Sequence, residues 1–344
     1  MAFEALEQII TVCEEEKIDF AEAIIREDMK DRLVTRESTV AQMTSMWENM
    51  CAASDAYDEN SRSRSGLVGG AGGQMARYVA AGNPLCGDRM GRVIAQALQM
   101  GESNACMKRI VAAPTAGACG VLPAVLIPLF REGTDSTAQS EHACAAANDI
   151  YPAANEPDAA ALTTDDRSVA GSPVNDTDRA SSGSKRSAEE LPAVRALFVA
   201  AGIGQVIATR ASIAGASGGC QAEIGSASAM AAGALTYLQG GAPDQILTAV
   251  AISLKNLLGL VCDPVSGLVE VPCVKRNVIG AVNAMSAADM ALAGIRSAIP
   301  ADQVIDAMKE VGDLMDVSLR ETGHGGLAAT RRAVEITERL ETEL

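Results

Sequence analysis

Aromatic side chains are nearly missing from this chain: they make up 3% of its 344 residues, and Trp47 is the single tryptophan. Hydrophobic residues nevertheless reach 48%, so Ala and Gly must fill much of the interior. That filling suits closely packed helices better than an aromatic-rich β-sandwich. Cations are short too. With a formal charge of −16 and lysine scarce beside arginine, the chain lacks the clustered positive charge that phosphate contacts need, which argues against nucleic acid. An anionic membrane would repel it as well, and the acidic surface is expected of a protein adapted to a salty cytoplasm. There are two histidines, His142 and His324, and no Cys-x-x-Cys clamp, so a structural zinc site is the weaker metal reading. No sustained period-two alternation runs anywhere, and the expected fold is mainly α. No basic segment followed by an apolar one opens the sequence, so secretion is not expected and a cytoplasmic location is.

What the chain has is cysteine, nine of them, which in an intracellular setting suggests thiols and metal more than disulfides. Three stand out. Cys262 and Cys273 lie eleven positions apart in LLGLVCDPVSGLVEVPCVKRN, each with a proline close by (Pro264 and Pro272), where Pro and Gly forbid one continuous helix. Cys220 lies forty-two positions before Cys262, in Gly218-Gly219-Cys220-Gln221-Ala222-Glu223, where paired glycines let the backbone approach a neighbour closely. Buried free cysteines would use the same residues, but packing gives no reason to place thiols at bends. Three thiolates on a [4Fe-4S] cluster leave one iron without a protein ligand, free to act as a Lewis acid on a substrate oxygen.

The remaining motifs are sorted by context. Ala2 to Asn60 reads as two or three amphipathic helices, with Cys13 and Cys51 on their apolar faces. Ser65-Gly66-Leu67-Val68-Gly69-Gly70-Ala71-Gly72-Gly73 has neither a preceding strand nor a Gly-Lys-Ser/Thr closure, so a phosphate cradle is not expected. Ile110 to Phe130 is uncharged, but its prolines and glycines favour a buried loop and a helix start near Leu122 over a membrane span. Within it, Pro114-Thr115-Ala116-Gly117-Ala118-Cys119-Gly120 either presents Thr115 and backbone N–H groups to a carboxylate or simply caps the next helix. Glu132 to Glu190 is so poor in large apolar residues that it is expected to be a disordered insertion separating 1–131 from 191–344. His142 and Cys144 inside it are read as incidental, and Lys185 as no site for pyridoxal phosphate, since a Schiff-base lysine needs a desolvating pocket. Further helices are expected over Arg92 to Met107, Leu191 to Ser212, Ser226 to Gln239, Pro243 to Leu258, Val278 to Ala293 and Asp302 to Val317, with Asp244 and Asp302 near helix starts. Arg320-Glu321-Thr322-Gly323-His324-Gly325-Gly326-Leu327 follows the last of these. Arg320 there could pair with a substrate carboxylate or with an acid of the protein itself.

The runs GASGGCQAEIGSASAMAAGAL, LKNLLGLVCDPVSGLVEVPCVKRNVIGAVNAMSAADMALAGI, LRETGHGGLAAT, SGLVGGAGGQMARYVAAGNPLCG and ESNACMKRIVAAPTAGACGVLPAV resemble the α chain, or α domain, of bacterial and archaeal iron–sulfur L-serine dehydratases. The resemblance covers most of the chain apart from the insertion. It implies a single helical domain with Gly/Pro-rich active-site loops and a [4Fe-4S] cluster on Cys220, Cys262 and Cys273, so pyridoxal phosphate is not expected. It also implies substrate contacts from Thr115 and Arg320, no ligand role for Cys119, no essential role for His324, L-serine as substrate, and a separate β chain in an oligomer. The catalytic base is unassigned, with Glu223 the first candidate because it adjoins a ligand. L-threonine or L-cysteine as substrate, or an iron–sulfur sensor, are the alternatives.

Overall fold

The computed structural model describes residues 3–82, 84–135 and 191–343. Most of the expected insertion, including His142, Cys144 and Lys185, lies outside the described residues. Among them there is no β-strand, only an isolated parallel bridge between Cys262 and Arg320. The mainly α expectation therefore holds.

Three helices open the chain: α1 (Leu6–Glu16), α2 (Phe20–Arg32) and α3 (Arg36–Asp55). Asp19 and Thr35 cap the second and third by accepting the N–H groups of Glu22 (2.8 Å) and Ser38 (3.3 Å). Cys13 is buried in the core and Cys51 half-buried against it, as their helical spacing requires. The first helix is capped from far away: the Asp302 carboxylate accepts the N–H groups of Leu6 (2.9 Å) and Glu7 (3.1 Å). It thus serves another helix's positive end rather than its own.

The glycine-rich stretch leads into α4 (Ala71–Ala80), followed by α5 (Gly87–Ala105). The N-terminus of α4 already holds an anion, because buried Glu102 accepts the N–H groups of Ala71 (2.7 Å) and Gly72 (3.0 Å) and the Tyr57 hydroxyl (2.6 Å). An internal carboxylate occupies the place a phosphate would need. Next comes α6 (Val121–Asp135), one residue from the expected start near Leu122 and running past the expected boundary at 131; Pro123 sits in its first turn, where no N–H is needed.

The second half contains α7 (Pro192–Arg210), α8 (Ser226–Leu238), α9 (Pro243–Leu257), α10 (Cys273–Leu292), α11 (Ala301–Leu314) and α12 (Arg331–Glu343). By length and composition α7 could cross a membrane, but 67% of its most apolar window is buried inside the protein. At the centre stands α8, packed on α6, α7, α9 and α10. Its run SASAMAAGALT is buried throughout, because Ala and Gly let neighbouring helices approach closely. A Cβ on Gly233 would lie 2.2 Å from Ile203 Cδ1. A buried polar network then fixes register. Ser228 donates to Gly280 O (2.7 Å), while Asn283 Nδ2 donates to Ser228 Oγ (3.0 Å) and Ser253 O (2.9 Å), keying α8, α9 and α10 together.

Candidate active site

Cys220 lies at the break between α7 and α8. A one-turn helix, Gly215–Gly218, precedes it, and a wide π-turn, Gln221–Gly225, leads from it into α8. Such turns recur at functional sites because the extra residue shifts side chains off the regular helical face. Gln221 anchors this one: its N–H donates to Leu260 O, its Nε2 donates to Met308 O, and its Oε1 accepts Gly259 N–H, each at 2.9 Å. The paired glycines serve packing more than the sulfur. Gly219 has φ +74°, and a Cβ there would lie 2.7 Å from the Met315 side chain and 2.9 Å from Leu260 O.

The other two thiols bracket an irregular loop. Cys262 is clamped by the C-terminal motif, donating its N–H to Leu319 O (2.8 Å) and accepting that of Glu321 (2.7 Å). Cys273 opens α10, five residues earlier than the expected start at Val278. The ends of the loop are joined by a buried ion pair: Arg276 Nη2 lies 2.8 Å from Asp263 Oδ1, with the two residues 9% and 3% exposed. Arg276 Nη1 also donates to Val261 O (2.7 Å), and Asp263 Oδ2 accepts Leu327 N–H (2.7 Å). The glycine-rich stretch is tied in through buried Glu270, which accepts the hydroxyls of Ser63 (2.8 Å) and Ser65.

These elements converge on one spot. One ligand atom each from Cys220, Glu223 and Cys262 lies within 4.8 Å of the other two. Thr115 donates its hydroxyl to Glu223 Oε1 at 2.8 Å. Asn277 holds the Thr115 turn against α10: its Oδ1 accepts Gly120 N–H (2.8 Å), and its Nδ2 donates to Gly117 O (2.8 Å) and Cys273 O (3.0 Å). Backbone lines the remaining wall. A Cβ on Gly215 would sit 2.8 Å from Glu223 Oε2 and 3.0 Å from Cys262 Sγ.

The local field separates the thiols. Cys220 is held below the usual thiol range by a hydrogen bond from Cys262 and by the adjacent Arg276 guanidinium. Cys262 is raised by that same bond and by burial. Burial and the charge of Cys220 push Cys273 up to about 12. Glu223 is raised above 4.5 by burial, against the lowering effect of the Thr115 hydrogen bond.

Of the residues singled out in the sequence, Cys220, Cys262 and Thr115 meet directly around Glu223. Cys273 stands outside that tight triplet but is near enough to feel the charges of Cys220 and Glu223. Arg320 reaches the site through its backbone bridge to Cys262, while its guanidinium lies on carbonyls at the end of α11: Nε donates to Met315 O and Nη2 to Asp313 O, both at 2.7 Å. His324 is exposed in the same loop. Cys119 is fully buried, with its thiol facing Met100 O at 3.7 Å and pushed up to about 12. Sequence reasoning missed Asp263, Arg276 and Asn277. Their signal was present: charged and amide side chains beside cysteines in an otherwise apolar stretch.

A family model described as serine dehydratase alpha chain matches residues 15–162 and 180–328, breaking inside the expected insertion. A Bacillus subtilis (strain 168) protein named "Probable L-serine dehydratase, alpha chain" is 39% identical over 338 residues, 98% of this chain and 95% of the relative. The "L-serine dehydratase, alpha chain" of Peptoniphilus asaccharolyticus is 35% identical over 330 residues, 96% of this chain and 95% of its own. "L-serine dehydratase 1" of Escherichia coli (strain K12) is 37% identical over 236 residues, which is 67% of this chain but 40% of that longer protein.

Proposed function

This chain belongs to the serine dehydratase alpha chain family, and from that premise we propose that it is the α chain of an L-serine dehydratase, a lyase that converts L-serine to pyruvate and ammonia. The observation that carries the proposal is the meeting of two buried thiols, a carboxylate and a threonine hydroxyl at one point. Cys220, Cys262 and Cys273 would hold a [4Fe-4S] cluster. The donor set suits one: all three thiols are buried, Arg276 offsets part of the negative charge of the thiolates, and Gly215 leaves open a wall that any Cβ would fill. When bound, the cluster supplies a Lewis-acidic iron that makes the β-hydroxyl of serine a better leaving group.

The chain's own residues then position and exchange protons. Thr115 orients Glu223 by bonding Oε1, which leaves Oε2 as the proposed acceptor of the substrate α-proton. Burial raises that carboxyl towards the pH at which a base works best. Loss of the α-proton and the hydroxyl gives aminoacrylate, which tautomerises and hydrolyses to pyruvate and ammonia. Arg320 is the proposed partner of the substrate carboxylate, through the part of its guanidinium not spent on α11. Fixing the carboxylate aligns both departing groups, so positioning supplies much of the rate.

A separate β chain is proposed to complete the enzyme in an oligomer, in keeping with relatives named as alpha chains. Cytoplasmic location fits the same chemistry, because free thiols persist in reducing compartments. The test is anaerobic reconstitution with iron and sulfide, followed by pyruvate release from L-serine, or the matching keto acid or pyruvate from L-threonine and L-cysteine, with and without the β chain. Preference for L-serine is expected. Absence of turnover with a formed cluster and the β chain present would favour an iron–sulfur sensor, and full activity of the single chain would remove the need for a partner.

A further inference from the structure

The geometry points to a second use of the same residues: in the cluster-free chain, Cys220, Cys262 and Glu223 bind one Zn²⁺, and this ion competes with cluster assembly. A cubane spreads its thiolate ligands over separate irons, whereas a single ion needs its donors directed at one point. With Zn–S about 2.3 Å and Zn–O about 2.0–2.2 Å, donors on one tetrahedral ion stand roughly 3.5–4 Å apart. The three ligand atoms here already lie within 4.8 Å of one another, and Cys273 is not among them. A shift of about 1 Å in rotatable side chains closes the difference.

Charge supports the same assignment. Two thiolates and one carboxylate carry three negative charges; Zn²⁺ offsets two of them, and the adjacent Arg276 guanidinium, already paired with Asp263, offsets part of the remainder. The thiol protons that the Cys220–Cys262 pair still carries leave to solvent on binding, with no redox change. Thr115, bonded to Glu223 Oε1 at 2.8 Å, is the outer-shell group that orients the carboxylate ligand. A three-residue site leaves a fourth position for water. Because Zn²⁺ takes two of the three thiolates the proposed cluster needs, it must leave before a cluster can form.

The metal site rests on the geometry of the triplet and does not depend on the dehydratase reading, although the competition does. The test is a titration of the full, cluster-free chain with Zn²⁺ alone, under anaerobic reducing conditions, against a chromophoric chelator. One Zn²⁺ per chain is expected. Cys273→Ser should leave its affinity within about twofold, Thr115→Ala should weaken it about 10–100-fold, as outer-shell losses do, and Cys220→Ser or Cys262→Ser should weaken it by more. Cys220→Ala and Cys262→Ala, checked for fold by circular dichroism, guard against a serine that still ligates. Zinc-loaded chain given iron and sulfide should develop no cluster absorbance until the chelator is added. The inference is overturned by no Zn²⁺ binding, by undiminished binding in the Cys220 or Cys262 variants, or by equal loss in Cys273→Ser. Cluster formation and turnover without Zn²⁺ binding would overturn this inference alone, and Zn²⁺ binding without any cluster would overturn the dehydratase reading and the competition while leaving the metal site.

Discussion

Replacing Arg276 with Met tests how the inter-cysteine loop is held. The substitution keeps side-chain length but leaves Asp263, 3% exposed, with only the Leu327 N–H at 2.7 Å to stabilise its charge. It also strips Val261 O of its 2.7 Å donor. Removing one member of a buried ion pair costs about 3–5 kcal/mol, because the survivor remains desolvated and unneutralised. For a chain of 344 residues the unfolding entropy near the midpoint is about 0.7 kcal/mol/K, so the expected fall in Tm is about 4–7 °C. Scanning calorimetry of the cluster-free chain, in one buffer and one salt concentration, reads it. Asp263→Asn alone should cost less, since Arg276 keeps the Val261 carbonyl and reaches towards solvent more easily than a short carboxylate. The double variant should recover part of the Arg276→Met loss, because no unpaired charge stays behind. A fall below about 1 °C for Arg276→Met, or a double variant as unstable as the sum of the singles, would refute the view that this pair ties the loop ends together.

Gly120→Ala would place a Cβ 2.8 Å from Ala97 O and 2.9 Å from Asn277 Oδ1, so it should destabilise by about 1–3 kcal/mol and loosen the Thr115 turn, both readable by thermal unfolding and amide exchange. Glu22 is held below 4.5 chiefly by the two-pronged hydrogen bonds from Arg36 (2.7 and 3.0 Å). A depressed folded-state pKa stabilises above the unfolded value and is lost as pH falls through the folded value, so Glu22→Gln should cost about 0.5–1 kcal/mol at pH 7 and progressively less as pH falls through the depressed folded value, as measured by melts from neutral to acid pH. With a net charge of −16, the chain should gain Tm steadily from dilute buffer to molar salt; indifference to salt would remove the salt-adaptation reading.

The order of most helices was legible in the sequence, because apolar periodicity, Ala content and Pro or Gly breaks act within a few residues, whereas α4 and α12 were not expected at all. Pro243 and Leu257 bound α9 almost where the pattern ends. The cysteine trio and the Thr115 motif stood out for the same local reason: thiols and hydroxyls at bends have little packing role. Cys273 at the first position of α10 was harder to place, since the sequence marks Pro272 as a break but does not say that the helix resumes at once. Which groups face one another was not written locally. Thr115 and Glu223 are 108 positions apart, Asp302 and the Leu6 N–H 296, and Gly120 and Asn277 157. Such partners carry no neighbouring signal, because a carboxylate has the same propensities whether it meets a threonine, a helix end or water. The chain alone determined a helical protein with three thiols at irregular turns. Only packing, through the Arg276–Asp263 pair, the π-turn after Cys220 and the α8–α9–α10 network, decided that two of those buried thiols meet half-buried Glu223 at one point, because burial makes each unpaired polar group costly enough to select its partner.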